Sequence, residues 1–116
     1  MFESLLDPNP ALAGAPITRS PEEQGRVDEG TRTLALYHYE ACWFSARVRR
    51  AIEHLQLKID KRDIMESADH RRALAEGGGR STVPCLRIQH GDGQHQWLYE
   101  SAAIIDYLLN RFGPPG

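Results

Sequence analysis

Cysteine is scarce in this chain. Two in 116 residues exclude a disulfide-dense secreted scaffold and a four-cysteine zinc site. An excess of one charge is also missing. The 14 Lys and Arg stand against 16 Asp and Glu, a net charge of −2, which gives no electrostatic case for nucleic acid or an anionic membrane as a partner. No apolar run approaches the ~18–20 residues of a membrane-spanning helix. The stretch from Met1 to Pro10 has no basic segment followed by an apolar one, so no secretory signal is expected there. The expected compartment is the reducing cytoplasm, where cysteines tend to be buried, catalytic or metal-binding rather than bridged. What is present suits a single folded domain: 41% hydrophobic and 26% charged residues, in a chain long enough to bury a core.

Composition shifts near residue 32. Four of the seven prolines fall at Pro8, Pro10, Pro16 and Pro21, so residues 1–32 read as an N-terminal extension with little core of its own. Within it, Ser20-Pro21-Glu22-Glu23 is a helix-start signal, with Ser20 as cap and Glu23 closing a capping box. It predicts a short helix over about 21–30, with a mobile linker as the alternative. Residues 33–113 form the domain. Thr33–His38 reads as a buried strand, and Phe44, Val48, Ala51, Ile52 and Leu55 recur at helical spacing over roughly 43–56. Leu57–Ile64 reads as a second strand near an edge. Ser67 opens a helix that is expected to stop before Gly77-Gly78-Gly79. Thr82–Ile88 is a strand interrupted by Pro84, Gln96–Leu98 its hairpin partner, and Ile104, Ile105, Leu108 and Phe112 mark a last helix. The order β-α-β-α-β-β-α predicts an α/β fold with a four-stranded mixed sheet and helices on both faces.

Cys42 follows a strand and opens a helix. A thiol there meets unpaired backbone N–H groups and the positive end of the helix dipole, both of which favour thiolate, so its pKa is expected below the ordinary ~8.5. Arg47, Arg49 and Arg50 add positive charge on the same helix. Ser45, one turn on, has a hydroxyl that can donate to the sulfur but cannot form a disulfide. Pro84 is expected either as a cis residue entering the strand, leaving the Val83 backbone free to pair with an extended ligand, or as a trans residue at an edge. Ser101 is expected to cap the last helix, where backbone N–H groups can also bind a carboxylate. Cys85 is either a second thiol able to reach Cys42 or a small buried residue, and burial is the favoured reading. His54 and His70 are expected at the surface. No metal site is expected: His38 and Cys42 fall two ligands short of one.

Tyr37 with the loop to Cys42-x-x-Ser45, Arg80-Ser81-Thr82-Val83-Pro84, and Leu98-Tyr99-Glu100-Ser101-Ala102-Ala103-Ile104 occur in this order. With them, residues 33–112 resemble the thioredoxin superfamily, specifically the glutaredoxins and the N-terminal domain of glutathione transferases. The resemblance implies a thioredoxin-like fold and glutathione as co-substrate. It implies that Cys42 exchanges the glutathionyl sulfur with Ser45 beside it, and that Trp43, Phe44, Thr82, Val83 and Pro84 line the ligand. Arg80 would meet the glycyl carboxylate, and Glu100 and Ser101 the γ-glutamyl end. Trp43 and Ser45 replace the proline and second cysteine of the dithiol motif, which leaves a monothiol route. Relatives that carry an iron–sulfur cluster have glycine where Trp43 stands and a lysine before the cysteine. Tyr37–Glu40 holds no lysine, so both features count against a cluster here. At this length the all-helical second domain of a transferase is not expected.

The function that follows is a glutathione-dependent thiol–disulfide oxidoreductase acting on glutathionylated or disulfide-bearing proteins. Two alternatives stand beside it. One is a glutathione-binding or iron–sulfur carrier module without turnover. The other is a redox-silent thioredoxin-fold adaptor that binds a partner protein through Trp43 and the extension.

Overall fold

The computed structural model describes residues 9–114; residues 1–8 of the expected extension lie outside that range. A 3-10 turn at Pro10–Leu12 leads into α1 (Pro21–Thr31). Then follow β1 (Leu34–His38), α2 (Trp43–His54), β2 (Asp60–Asp63), α3 (Ala68–Gly78), β3 (Cys85–Gln89), β4 (His95–Tyr99) and α4 (Ser101–Phe112). The sheet order is β2-β1-β3-β4. β1 and β2 are parallel, and β3 runs antiparallel to both β1 and β4. This is a thioredoxin-like fold. No helix among the described residues is long and apolar enough to cross a membrane.

Strand alternation divides the core. Leu34, Leu36, Leu86 and Ile88 point to one face, where Val48, Ala51, Ile52 and Leu55 of α2 and Ile104, Ile105, Leu108 and Phe112 of α4 meet them. Each Val, Leu, Ile or Phe among them contributes ~1.5–3 kcal/mol on burial. Ala35, Tyr37 and Cys85 point to the other face and pack with Leu74 of α3 and Ile64.

Segment 9–32 docks on the first face. Leu12, Ile17 and Val27 join its apolar cluster. Arg19 donates to the carbonyls of Leu55 and Phe112, 2.7 Å each, and so satisfies open C-terminal ends of α2 and α4 together. Ser20 caps α1 by accepting from the Glu23 N–H.

Four local expectations are corrected. β2 spans only Asp60–Asp63; Leu57 and Ile59 before it are buried in the core but outside the ladder. β3 starts at Cys85 rather than Thr82, after the imino residue Pro84, which has no N–H to give the ladder. α3 does not stop before Gly77. It continues through Gly78 and ends at Gly79 in the left-handed conformation, φ 87°. Gly77 and Gly78 are there because α3 lies directly on the rings of Trp97 and Tyr99, where a Cβ would collide. His54 is buried, not exposed, under the docked segment, and its carbonyl accepts from the Ile17 N–H at 3.0 Å.

Candidate functional site

Topology brings three loops to one end of the sheet. Cys85, the first residue of β3, pairs with Tyr37 near the end of β1 and with Tyr99 at the end of β4. The loop to Cys42, the Val83–Pro84 segment and the Glu100–Ser101 junction therefore share that end.

Cys42 is the N-cap of α2, with extended backbone (φ −77°, ψ 120°), and its Sγ accepts from the Ser45 N–H at 3.4 Å. The contact is made by the backbone of Ser45. Its hydroxyl is fully buried and has no hydrogen-bond partner, so the expected donation from Oγ to the sulfur is absent. Cys42 keeps 9% of its surface. Trp43 and Phe44 beside it are 48% and 51% exposed and meet edge to face with centroids 5.0 Å apart. They form an apolar lip next to the thiol.

Neither Arg47 nor Arg49 hydrogen-bonds the sulfur. The Arg49 guanidinium holds the β1–α2 loop instead, donating to the carbonyls of Tyr39 at 3.2 Å and Glu40 at 3.0 Å and meeting His38 Nδ1 at 3.0 Å. The Cys42 N–H donates to the same Tyr39 carbonyl at 3.1 Å. Arg47 donates to the hydroxyl of Ser101 at 3.1 Å, and its Nε is buried without a partner.

The Val83–Pro84 bond is cis, Pro84 is buried, and Val83 packs against the second apolar cluster. Among the described residues no group of the chain takes up the Val83 N–H or C=O. Thr82 is exposed. Arg80 is exposed as well, but its guanidinium lies 4.3 Å from the centre of the Tyr99 ring, and its backbone N–H and C=O both bond the Tyr99 hydroxyl. Arg80 is thus anchored at the end of α3.

Ser101 is the first helical residue of α4 and not its cap. Glu100 holds the cap position with φ 78°, a conformation that a non-glycine residue rarely adopts, and its side chain makes no capping bond. The carboxylate of Glu100 is exposed at a helix start whose first N–H groups have no intrahelical acceptor. Cys85 is fully buried, and burial pushes its thiol up to about 12. The Tyr99 hydroxyl beside Cys85 is itself raised, by burial first.

Sequence reasoning did not find the partners of Arg47 and Arg49 or the positive φ of Glu100. The arginines were visible as charge on a helix, but only the helix packing selects which acceptor each one reaches. Nothing in the residue types at Glu100 signals its φ.

The family pattern described as glutathione S-transferase, N-terminal domain, matches residues 36–116, well over half of the chain. No curated protein matches it. Among solved structures, maleylacetoacetate isomerase from Anaeromyxobacter dehalogenans, with dicarboxyethyl glutathione and citrate bound in its active site, is similar at 30% identity and a TM-score of 0.55. That match covers 72% of this chain and 39% of the isomerase. A glutathione transferase homologue from Drosophila mojavensis with bound glutathione is 26% identical, TM-score 0.56, over 70% of this chain and 36% of that one. Wheat glutaredoxin, 21% identical with a TM-score of 0.50 over 80% of this chain and 86% of its own, shares the fold. The chain spans less than two fifths of the length of the isomerase and transferase structures. By its matched segment and its architecture, this chain belongs to the glutathione S-transferase N-terminal domain family of the thioredoxin superfamily.

Proposed function

We propose that this protein binds glutathione at the shared end of the sheet and uses Cys42 for glutathione-dependent thiol–disulfide exchange. The observation that carries the reading is the sulfur of Cys42 at the mouth of α2, receiving the Ser45 N–H, on the same sheet end as a Val83 backbone whose polar groups have no partner among the described residues. Those groups suit the cysteinyl part of a tripeptide, as an added strand would. The start of α4, with Ser101 held by Arg47, suits the γ-glutamyl carboxylate, and the exposed Glu100 its ammonium. Trp43 and Phe44 form the apolar side facing the second substrate. Arg80 is assigned the glycyl carboxylate from its place over the Tyr99 ring.

In the reaction, the Cys42 thiolate attacks the glutathionyl sulfur of a protein–glutathione mixed disulfide. A bond forms between Cys42 and that sulfur, and the protein leaves as its thiolate. A second glutathione thiolate then attacks the same sulfur, releasing oxidised glutathione and restoring Cys42. Cys85 takes no part, being fully buried with its thiol held protonated. An iron–sulfur cluster does not fit this donor set. The described residues hold two thiols, both buried, whereas a cluster held by protein ligands alone takes four donors, most often cysteine thiolates, and no step runs through one. A reducing compartment supplied with glutathione is the proposed setting.

A second reading, glutathione conjugation or isomerisation, is favoured by the 30% identity to a glutathione-dependent isomerase. Incubation with oxidised glutathione, followed by intact mass and peptide mapping, tests the first. One glutathionyl adduct on Cys42 is expected, along with turnover of a glutathionylated peptide. Glutathione binding without an adduct would overturn thiol exchange in favour of the second reading.

A further inference from the structure

The buried imidazole of His38, the last residue of β1, has a contact that fixes its protonation state. Its Nδ1 lies 3.0 Å from Nη1 of Arg49. A guanidinium only donates, so Nδ1 accepts, and the ring is neutral with its proton on Nε2. The same guanidinium donates to the carbonyls of Tyr39 and Glu40, and the Tyr39 carbonyl takes the Cys42 N–H. One cation thus joins His38 to the loop that ends at Cys42. A second set of partners waits beside the ring: a ring nitrogen of His38 and one carboxylate oxygen each from Glu40 and Asp63 all lie within 4.8 Å of one another.

We propose that His38 and Arg49 form an acid-released clamp on the loop that carries Cys42. A proton on the imidazole moves His38 from Arg49 to the carboxylates of Glu40 and Asp63. The charged groups facing the ring are Arg49 from α2, Asp63 and Lys61 from the β2 side, and Glu40 from the loop. Protonation turns Nδ1 from an acceptor into a donor aimed at a cation, so the Arg49 contact is lost outright. The imidazolium then gains two carboxylates at close range. Arg49 keeps only the two carbonyls, and the loop before Cys42 loses its tie to β1. Burial, followed by Arg49, holds the ring below the ordinary histidine value of 6.5 against the opposite pull of Asp63 and Glu40, so the clamp stays closed at neutral pH. The inference does not depend on the identity of the thiol substrate.

The test is a pH titration of the full chain by NMR, following the His38 ring nitrogens and the amides of Tyr39 to Cys42. Ring and loop amides are expected to share one midpoint below 6.5. Loop amide exchange, corrected for its intrinsic pH dependence, is expected to rise about tenfold between about pH 7.5 and about pH 5. His38→Gln keeps a neutral acceptor for Arg49 at every pH and is expected to abolish the rise. Loop amides that titrate apart from the ring, or a rise that persists in His38→Gln, would overturn the clamp. Should that variant fail to fold, the wild-type midpoints alone decide. Failure of the clamp would leave the Cys42–glutathione adduct untouched, so the two results are separable.

Discussion

The guanidinium of Arg47 donates to the hydroxyl of Ser101 across 3.1 Å and ties the second turn of α2 to the first residue of α4. These helices carry, at their starts, the two ends of the proposed glutathione site: the sulfur of Cys42 and the open N–H groups of α4. The bond sets their spacing.

Replacing Arg47 with Gln removes the charge and the bond. Glutathione affinity is expected to fall about tenfold or more, since hydrogen bonds to charged groups contribute ~1.5–3 kcal/mol. Isothermal titration of the variant checks this, with Ser101→Ala as the partner in a double-mutant cycle. Additive losses would show that the pair does not act together.

The two thiols should separate on contact with an alkylating reagent at about pH 8. Cys42, which keeps 9% of its surface beside the exposed Trp43, is expected to be labelled first. Cys85, buried and pushed up to about 12, is expected to react only when the protein unfolds. Peptide mapping after timed quenching reads both positions.

Gly77→Ala and Gly78→Ala are expected to destabilise the fold by about 1–3 kcal/mol each, because the new methyl collides with Trp97 or Tyr99. Gly79→Ala meets open space, and its cost of about 1 kcal/mol comes from the positive φ alone. Urea unfolding of the three variants distinguishes packing from backbone strain: only the first two should disturb the near-ultraviolet signal of Trp97.

Glu100→Gly is expected to raise stability by about 1 kcal/mol by relieving φ 78°, and to weaken glutathione binding by removing the carboxylate. Opposite movement of the unfolding midpoint and of affinity is the signature. Loss of both would place Glu100 in the fold rather than the site.

His38 also gives the fold a pH dependence. Its ring is held neutral below the ordinary value of 6.5, so the unfolded chain takes up the proton first. Its contribution to stability is therefore whole above about 6.5 and is lost as pH falls from there through the lowered value. The stability difference between wild type and His38→Gln, measured by urea at about pH 7 and about pH 5, is expected to shrink on acidification.

The fold was legible because hydrophobic periodicity survives in the elements that build the first face of the core. Val48, Ile52 and Leu55 announce one helix, Ile104, Ile105 and Leu108 another, and both face the strand residues Leu34 and Leu36. Capping was legible at Ser20 and Ser67, where a side chain three residues upstream of an N–H is sufficient. It misled at Ser101, whose hydroxyl is taken by Arg47 from a distant helix, and at Ser45, where a backbone N–H reached the sulfur in place of the hydroxyl. The triple glycine carried two causes in one signal. Gly79 stops α3 by its conformation, while Gly77 and Gly78 let it lie against β4, and only a tertiary neighbour separates them. The site followed the same division. Cys42 and Pro84 stand out by residue type, but the arginine contacts depend on how two helices meet.

The outer strand β2 consists of Asp60, Lys61, Arg62 and Asp63, with Arg62 bridged to Asp60 at 2.9 Å. A short ribbon in which every side chain is charged offers a poor template for another chain's backbone, because any added strand would have to strip water from several ions at once. On that border the protein is closed to lateral growth, and a polypeptide visitor would dock through its side chains on the helical surfaces or at the thiol end.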